Sequence, residues 1–410
     1  MIEMAVIVVS SGGVPPLTQF GGLSLLKRAV LTAQKAGATT CYIVTALTQP
    51  ELRHDLQSDP RITSRVVWGR LHPGTLPSVA RETSCLVFAV NTVFRHPLAL
   101  ELSQQFAPGR TLAATDAGGV PLLVLTVGAV LPQLCAELAQ GKSLSETTAL
   151  ANSEKVQTSS IRNHFLHRLT ADANFATVEH ELLLSLENPR DGQVDSYFNR
   201  KLSRRLTRWL LRTPLSPNQI TVLAGVVGVL GALWFIPGGY WGPLLGALLL
   251  QFSVVLDCCD GEVARMKFME SPLGDWLDIV CDTVVSLAIF LGLGVAAWRN
   301  GAVDHALALA GALVLGGGVA FPLVTLAEKT EEMGNRRNGW EDRLIKRLLT
   351  SLTTHDFSVL IVASALIGQL GWFLWGAAIG AQVFWLLLAW LLFRARRFAW
   401  GRRDWGSKEI

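Results

Sequence analysis

Hydrophobic positions along this chain fall into two regimes. In the first 190 residues, short apolar runs alternate with amphipathic stretches. The strand-like runs are Ala5–Ser10, Thr40–Ala46, Arg65–Trp68, Cys85–Val90 and Pro121–Thr126. Helical patterns fall at Leu23–Gly37, Gln49–Leu56, Pro97–Phe106 and Val127–Gln140. Buried strands alternating with helices predict an open, mostly parallel α/β sheet. Such sheets take ligands at the carboxyl ends of their strands, and the first strand runs into Ser10-Ser11-Gly12-Gly13.

Further on the apolar runs lengthen. Six stretches approach the ~20 residues that a helix needs to cross a bilayer: about Asn218–Ile236, Trp241–Val263, Leu277–Trp298, Ala302–Leu326, Phe357–Phe373 and Trp375–Phe393. Lys and Arg crowd the entry to the first stretch, the segment Glu328–Asp356 and the tail after Phe393, whereas Pro237–Tyr240 has no charge and only Arg299 separates the third and fourth stretches. This alternation predicts six spans with both ends cytoplasmic, in an inner or plasma membrane. Before the first span, Tyr197–Leu211 sets Arg200, Lys201, Arg204, Arg205 and Arg208 among Leu and Trp. That is the pattern of a basic amphipathic helix lying in the interface and favouring anionic headgroups; a solvated linker helix would leave Trp209, Leu210 and Leu211 exposed.

Composition agrees with a membrane protein: half of the residues are apolar, 17% are charged and 13 are Trp. The net charge of +4 is modest, and no nucleic-acid partner is expected. Six cysteines without a CxxC pair suggest neither a zinc site nor a disulfide framework. The Met1–Ser10 run is too short for a secretory signal.

Candidate chemistry sits where the second and third apolar stretches meet. Asp257 and Asp260 lie three residues apart, and Asp278 and Asp282 four apart, so each pair shares a helix face. Carboxylates near a membrane are expensive and point to function. Four on neighbouring helices repel unless cations sit between them, and hard divalent ions suit an all-oxygen site next to phosphates. The alternative, two amphipathic helices with their acids in water, fits poorly with the apolar flanks Leu244–Leu256 and Thr283–Trp298. Cys258 and Cys259 read as small packing residues, and Asp275 as a solvated first-turn acid.

The run from Asp257 to Asp282 resembles the signature of the CDP-alcohol phosphotransferases, D-x2-D-G-x2-A-R-x8-G-x3-D-x3-D, with every fixed position present. The resemblance implies a metal site of Asp257, Asp260 and Asp278 with Asp282 at its edge, holding Mg²⁺ or alternatively Mn²⁺. Asp282 would be the general base. Gly261, Ala264, Arg265, Ser271 and Gly274, with Pro217, Asn218 and Thr221 of a P-N-x-x-T pattern, would face the nucleotide. For those last three, a helix start is the other reading. A homodimer is expected by the same resemblance. Where many relatives have Arg-Tyr-Ala-Asp after the last acid, this chain has Thr283-Val284-Val285-Ser286, a departure that bears on the acceptor.

The first region resembles sugar-phosphate nucleotidyltransferases, most clearly at Phe20-Gly21-Gly22-Leu23, Lys27-Arg28 and Ala36-Gly37-Ala38. The loop after Gly12-Gly13 lacks that family's arginine and lysine, and Asn91 stands where its metal-binding Asp is expected. Asn carries no charge to hold a divalent ion. A domain that no longer catalyses is therefore expected. With the join from Asp191 to Ser203, the layout resembles fusions of an inositol-phosphate cytidylyltransferase to a CDP-alcohol phosphotransferase. The expected organisation is a nucleotidyltransferase-like, Rossmann-like α/β domain (1–190), a basic interfacial helix and linker (191–215), and an all-α polytopic membrane domain with six transmembrane helices (216–410). The expected function is transfer of a phospho-alcohol from CDP-diacylglycerol or a CDP-polyol to an alcohol acceptor, a polyol phosphate, with release of CMP. A bifunctional enzyme whose first domain makes the CDP-alcohol, and a non-catalytic membrane anchor for a nucleotide- or partner-binding domain, are the alternatives.

Overall fold

The computed structural model describes residues 2–9, 13–45, 50–69, 82–107, 110–116, 118–139, 144–147, 154–157, 165–186, 198–299, 301, 304–332, 344 and 356–403. The Ser10–Gly12 loop, the join from Asp191 to Tyr197 and most of the basic segment before Asp356 lie outside them. The chain divides into two compact units. The first is Met1–Leu186 with the short segments Leu211–Thr213 and Arg265–Met269. The second is Glu187–Leu210, Pro214–Ala264 and Glu270–Ile410.

In the first unit the strands are β1 (Met4–Val9), β2 (Gln19–Phe20), β3 (Leu23–Ser24), β4 (Thr40–Thr45), β5 (Arg65–Gly69), β6 (Ser84–Ala89), β7 (Thr92–Phe94), β8 (Leu112–Thr115), β9 (Pro121–Val127), β10 (Glu154–Gln157) and β11 (Leu166–Arg168). The helices are α1 (Leu25–Lys35), α2 (Pro50–Gln57), α3 (His96–Gln105), α4 (Leu131–Ala139) and α5 (Phe175–Ser185). Seven strands form one sheet in the order β10-β8-β9-β6-β1-β4-β5. Every residue of β1 is buried, as a central strand covered on both faces requires. It runs parallel to β4 and β6, and β4 runs parallel to β5. β9 is antiparallel to both β6 and β8. The reason is local: β8 and β9 are joined by a tight turn, in which Asp116 Oδ1 accepts the N–H groups of Gly118 and Val120, and a turn that short cannot cross over to a parallel strand. β8, with Ala at two of its four positions, carries too weak a β signal to be read from sequence.

The stretch that carries the nucleotidyltransferase resemblance is a braced turn. Leu23 and Ser24 form a short strand with Gln19 and Phe20, and the helix begins at Leu25, capped by Ser24 Oγ on the Lys27 N–H. Buried Arg28 donates to the carbonyls of Phe20 and Gly21, both at 3.1 Å, and Glu179 accepts the Gly21 N–H at 2.6 Å. Burial pulls the Arg28 guanidinium down to about 10, against the pull of Glu179. Lys27 pairs with Asp55 at 3.1 Å. Asn91 is buried: its Nδ2 donates to the Leu169 carbonyl at 2.7 Å, and its own carbonyl accepts the Leu169 N–H at 2.8 Å.

The second unit is helical: α6 (Arg200–Leu210), α7 (Pro217–Phe235), α8 (Trp241–Lys267), α9 (Pro272–Arg299), α10 (Ala306–Glu332), α11 (Asp356–Ile367) and α12 (Leu370–Arg403). Among the described residues five helices are long and apolar enough to cross a membrane: α7, α8, α9, α10 over Ala306–Val324 and α12 over Leu370–Arg394. The expected span Phe357–Phe373 is not one helix. α11 ends at Ile367, Gly368 takes φ +76°, and a new helix starts at Leu370 rather than Trp375. Twelve residues are well short of the ~20 that cross a bilayer. α7 lies along α9 through small residues: Gly225 meets Cys281, Gly228 meets Val285, and Ala232 meets Gly292. Ala247, Leu250, Ile289, Leu293, Leu313 and Ile361 join this seam into the unit's core. α6 exposes Leu202 and Trp209 beside Lys201 and Arg205, and Phe198 just before it is exposed too, while Leu210 and Leu211 are buried.

Candidate functional site

α7 starts where the sequence permits little else. Ser216 caps the helix on Gln219 N–H, Gln219 reaches back to Ser216 N–H in a capping box, and Pro217 takes the first turn. The cap is thus Ser216, which leaves Asn218 and Thr221 free of capping work. One turn in, buried Thr221 donates its hydroxyl to Asp260 Oδ2. α9 starts at Ser271, whose Oγ accepts the Gly274 N–H at 3.1 Å and whose carbonyl accepts the Asp275 N–H at 3.1 Å. A Cβ on Gly274 would sit 3.1 Å from Asn218 Oδ1 and 3.2 Å from Ser271 Oγ. Glycine therefore lets the starts of α7 and α9 approach, and it gathers Asn218, Ser271 and Gly274 at one point. Asp275 lies exposed in the first turn of α9.

The acids converge from α8 and α9. Asp257, Asp278 and Asp282 each offer an oxygen within 4.8 Å of the others, and all three are half-buried. Asp260, a turn further along α8 and more deeply buried, is engaged with Thr221. The triple includes Asp282, and Asp260 beside it has a hydroxyl partner on α7 that sequence spacing on α8 and α9 could not reveal. Three carboxylate oxygens this close repel one another without a counter-charge, and an all-oxygen set of this size fits a hard divalent cation. Gly261 and Ala264 lie half-buried along α8 beside these acids, and Arg265 falls with the first unit at the end of the helix. A cavity of about 130 Å³ opens at the acids, lined by Asp257, Asp282, Cys281, Ser253 and Ser286 among apolar side chains. Cys258 and Cys259 are buried, as packing residues should be.

Residues 214–390 match the CDP-alcohol phosphatidyltransferase family. A bifunctional IPC transferase and DIPP synthase of Aquifex aeolicus is 40% identical over 103 residues, which is 25% of this chain and 23% of that protein. The match thus spans about a quarter of that relative's length. The crystal structure of Mycobacterium tuberculosis phosphatidylinositol phosphate synthase with CDP-DAG bound is 28% identical and covers 46% of this chain and 94% of its own, at a TM-score of 0.32. The inositol-1-phosphate CTP transferase of T. maritima is 13% identical over 43% of this chain and 94% of its own, at a TM-score of 0.31.

Two polar residues of α8 escaped the sequence reading. Glu262 is buried and Gln251 half-buried inside an apolar helix. The signal was available: a carboxylate and an amide in a membrane stretch are expensive wherever they fall, not only at motif positions.

Proposed function

We propose that the chain is a divalent-metal-dependent membrane transferase. It moves a phospho-alcohol from a CDP-alcohol to an alcohol acceptor, a polyol phosphate, and releases CMP. The observation that carries this is the convergence of Asp257, Asp278 and Asp282 within 4.8 Å on two apolar helices, inside the stretch that matches the family. Asp257, Asp278 and Asp282 would hold the ion, Mg²⁺ or Mn²⁺, with Asp260 as a further ligand steadied from α7 by Thr221. When bound, the ion screens the diphosphate's negative charge and favours departure of the CMP phosphate.

The chain's own residues supply the remaining chemistry. Asp282 accepts the proton of the acceptor hydroxyl as its oxygen attacks the phosphorus that bears the alcohol; the new P–O bond forms and the P–O bond to CMP breaks. Asn218, Ser271 and Gly274 crowd together where a nucleotide can lie close to backbone, and Gly261 and Ala264 leave room along α8. Arg265 can fork onto a phosphate. The cavity beside Asp257 and Asp282 offers the acceptor hydroxyl room next to the proposed base. Lys and Arg placement supports cytoplasmic termini, with α6 lying in the interface through Leu202 and Trp209 and the preceding Phe198. A homodimer, and a sixth crossing made by α11 with neighbouring residues, belong to the same reading.

A second reading, a bifunctional enzyme, is favoured by the name of the Aquifex aeolicus relative. Against it, Asn91, Lys27 and Arg28 are already engaged in ties within the first unit. The test is purified full-length protein in detergent with Mg²⁺, offered CDP-diacylglycerol or CDP-inositol against a panel of polyol phosphates. CMP release with one donor–acceptor pair supports the transferase; no release with any pair, from protein that binds Mn²⁺, would leave only the non-catalytic anchor.

A further inference from the structure

Helix α8 carries polar side chains on two opposite faces. Glu262 lies roughly 140–160° around the helix from Asp257 and Asp260 at 3.6 residues per turn, so it cannot face the ion those acids would hold. Its carboxylate is nevertheless buried and fully engaged. Oε1 accepts from Ser203 Oγ at 2.8 Å and from Arg200 Nη1 at 3.3 Å, and Oε2 accepts from Thr207 Oγ1 at 2.6 Å. All three donors sit on α6. Three turns earlier on the same face of α8, Gln251 Nε2 donates to Asn199 Oδ1 at 2.5 Å, and Gln251 Oε1 accepts from Ser358 Oγ of α11 at 3.0 Å. Cys259, between the two, reaches the Ser203 carbonyl through its thiol at 3.5 Å.

α6 thus turns Ser203 and Thr207 inward, as does Asn199 just before it, and all three have no more than a trace of exposed surface. Hydrophobic contact alone leaves a helix free to rotate by a residue or slide by a turn. Directional bonds to a buried carboxylate do not, because any rotation leaves a charge without partners. On the other side of α8, Thr221 of α7 adds a directional bond to Asp260.

We propose that Glu262 is a positioning residue: with Arg200, Ser203 and Thr207 it locks the rotation of α8 against α6, so that on the opposite face Asp257 meets Asp278 and Asp282 and Asp260 meets Thr221. The proposal rests on the metal reading of those acids. It gives the amphipathic helix a second role besides lying in the interface, that of a splint for the metal-bearing helix.

The experiment uses the full-length protein in detergent and reads Mn²⁺ binding by electron paramagnetic resonance, alongside the Mg²⁺ concentration for half-maximal CMP release and the KM for donor. Glu262→Gln keeps the volume but loses the charge and one acceptor. The pair Ser203→Ala with Thr207→Val leaves Glu262 in place and removes two of its donors. Both are expected to weaken Mn²⁺ binding about 10- to 100-fold, the range seen when supports of metal ligands are removed, and to raise the Mg²⁺ requirement with less effect on the donor KM. Arg205→Gln, on the exposed face of α6, is expected to bind Mn²⁺ as the unaltered protein does. Elution volume and melting temperature identify variants that have not folded; Glu262→Asp serves in place of any that fail, with partial recovery of Mn²⁺ binding expected. Folded Glu262→Gln protein with undiminished Mn²⁺ affinity overturns the positioning role alone. Unaltered protein that binds no Mn²⁺ overturns the metal reading, and the positioning role with it.

Discussion

Replacing Thr221 by Val tests the link between α7 and the acids. The two side chains have nearly the same shape, so the change swaps a hydroxyl for a methyl and leaves no cavity. Thr221 is 3% exposed and Asp260 is 8% exposed, so water cannot substitute for the lost donor. A hydrogen bond to a charged group contributes about 1.5–3 kcal/mol, and stranding the acceptor costs a similar amount. If Asp260 is held in place for the metal and donor, that energy is withdrawn from the working arrangement. At about 1.4 kcal/mol per factor of ten, turnover at fixed Mg²⁺ should fall roughly 10- to 150-fold. Thr221→Ser keeps the hydroxyl and should retain most activity. The assay is CMP release across a Mg²⁺ titration, with thermal melting in detergent as the control for folding. Destabilisation of about 1.5–3 kcal/mol lowers the melting temperature by several degrees at most in a protein of this size, so the protein stays folded at the assay temperature. Near-normal turnover for Thr221→Val at all Mg²⁺ concentrations would refute the reasoning, because it would show that Asp260 needs no support from α7.

Three further outcomes are expected. Asp282→Asn keeps shape but cannot accept a proton, so CMP release should drop by at least about 10²-fold with nucleotide binding retained; nucleotide binding by calorimetry and turnover on the same sample check it, and near-normal turnover removes the base assignment. Asp257→Ala or Asp260→Ala should abolish binding of metal and of donor, and excess chelator should silence the unaltered protein; activity that survives chelation counts against the metal site. The full-length Asp282→Asn protein, given CTP and inositol phosphate, should release no pyrophosphate, since Asn91 is tied to Leu169 and Lys27 to Asp55; release that disappears on changing Gly12 or Gly13 would restore the bifunctional reading.

What the sequence by itself determined follows from periodicity and spacing. Continuous apolar runs with β-branched residues specify strands, and β1, β4, β5, β6 and β9 lie where those runs fall. Runs near twenty residues specify α7 to α10, and acids three and four apart must share helix faces. Short elements were not legible, because β8 and β10 depend on their neighbours in the sheet rather than on their own four residues. The break at Gly368 was hidden because the apolar run resumes at Leu370, only two residues further on. Only tertiary structure decided which acids meet. Spacing along α8 treats Asp257 and Asp260 alike, yet a hydroxyl on α7 engages one while the other joins Asp278 and Asp282. The same holds for Glu262: a buried carboxylate in an apolar helix announces that it has partners, but Arg200, Ser203 and Thr207 lie about sixty residues away in the chain, and side chains that far apart are paired by packing, which one-dimensional patterns do not encode.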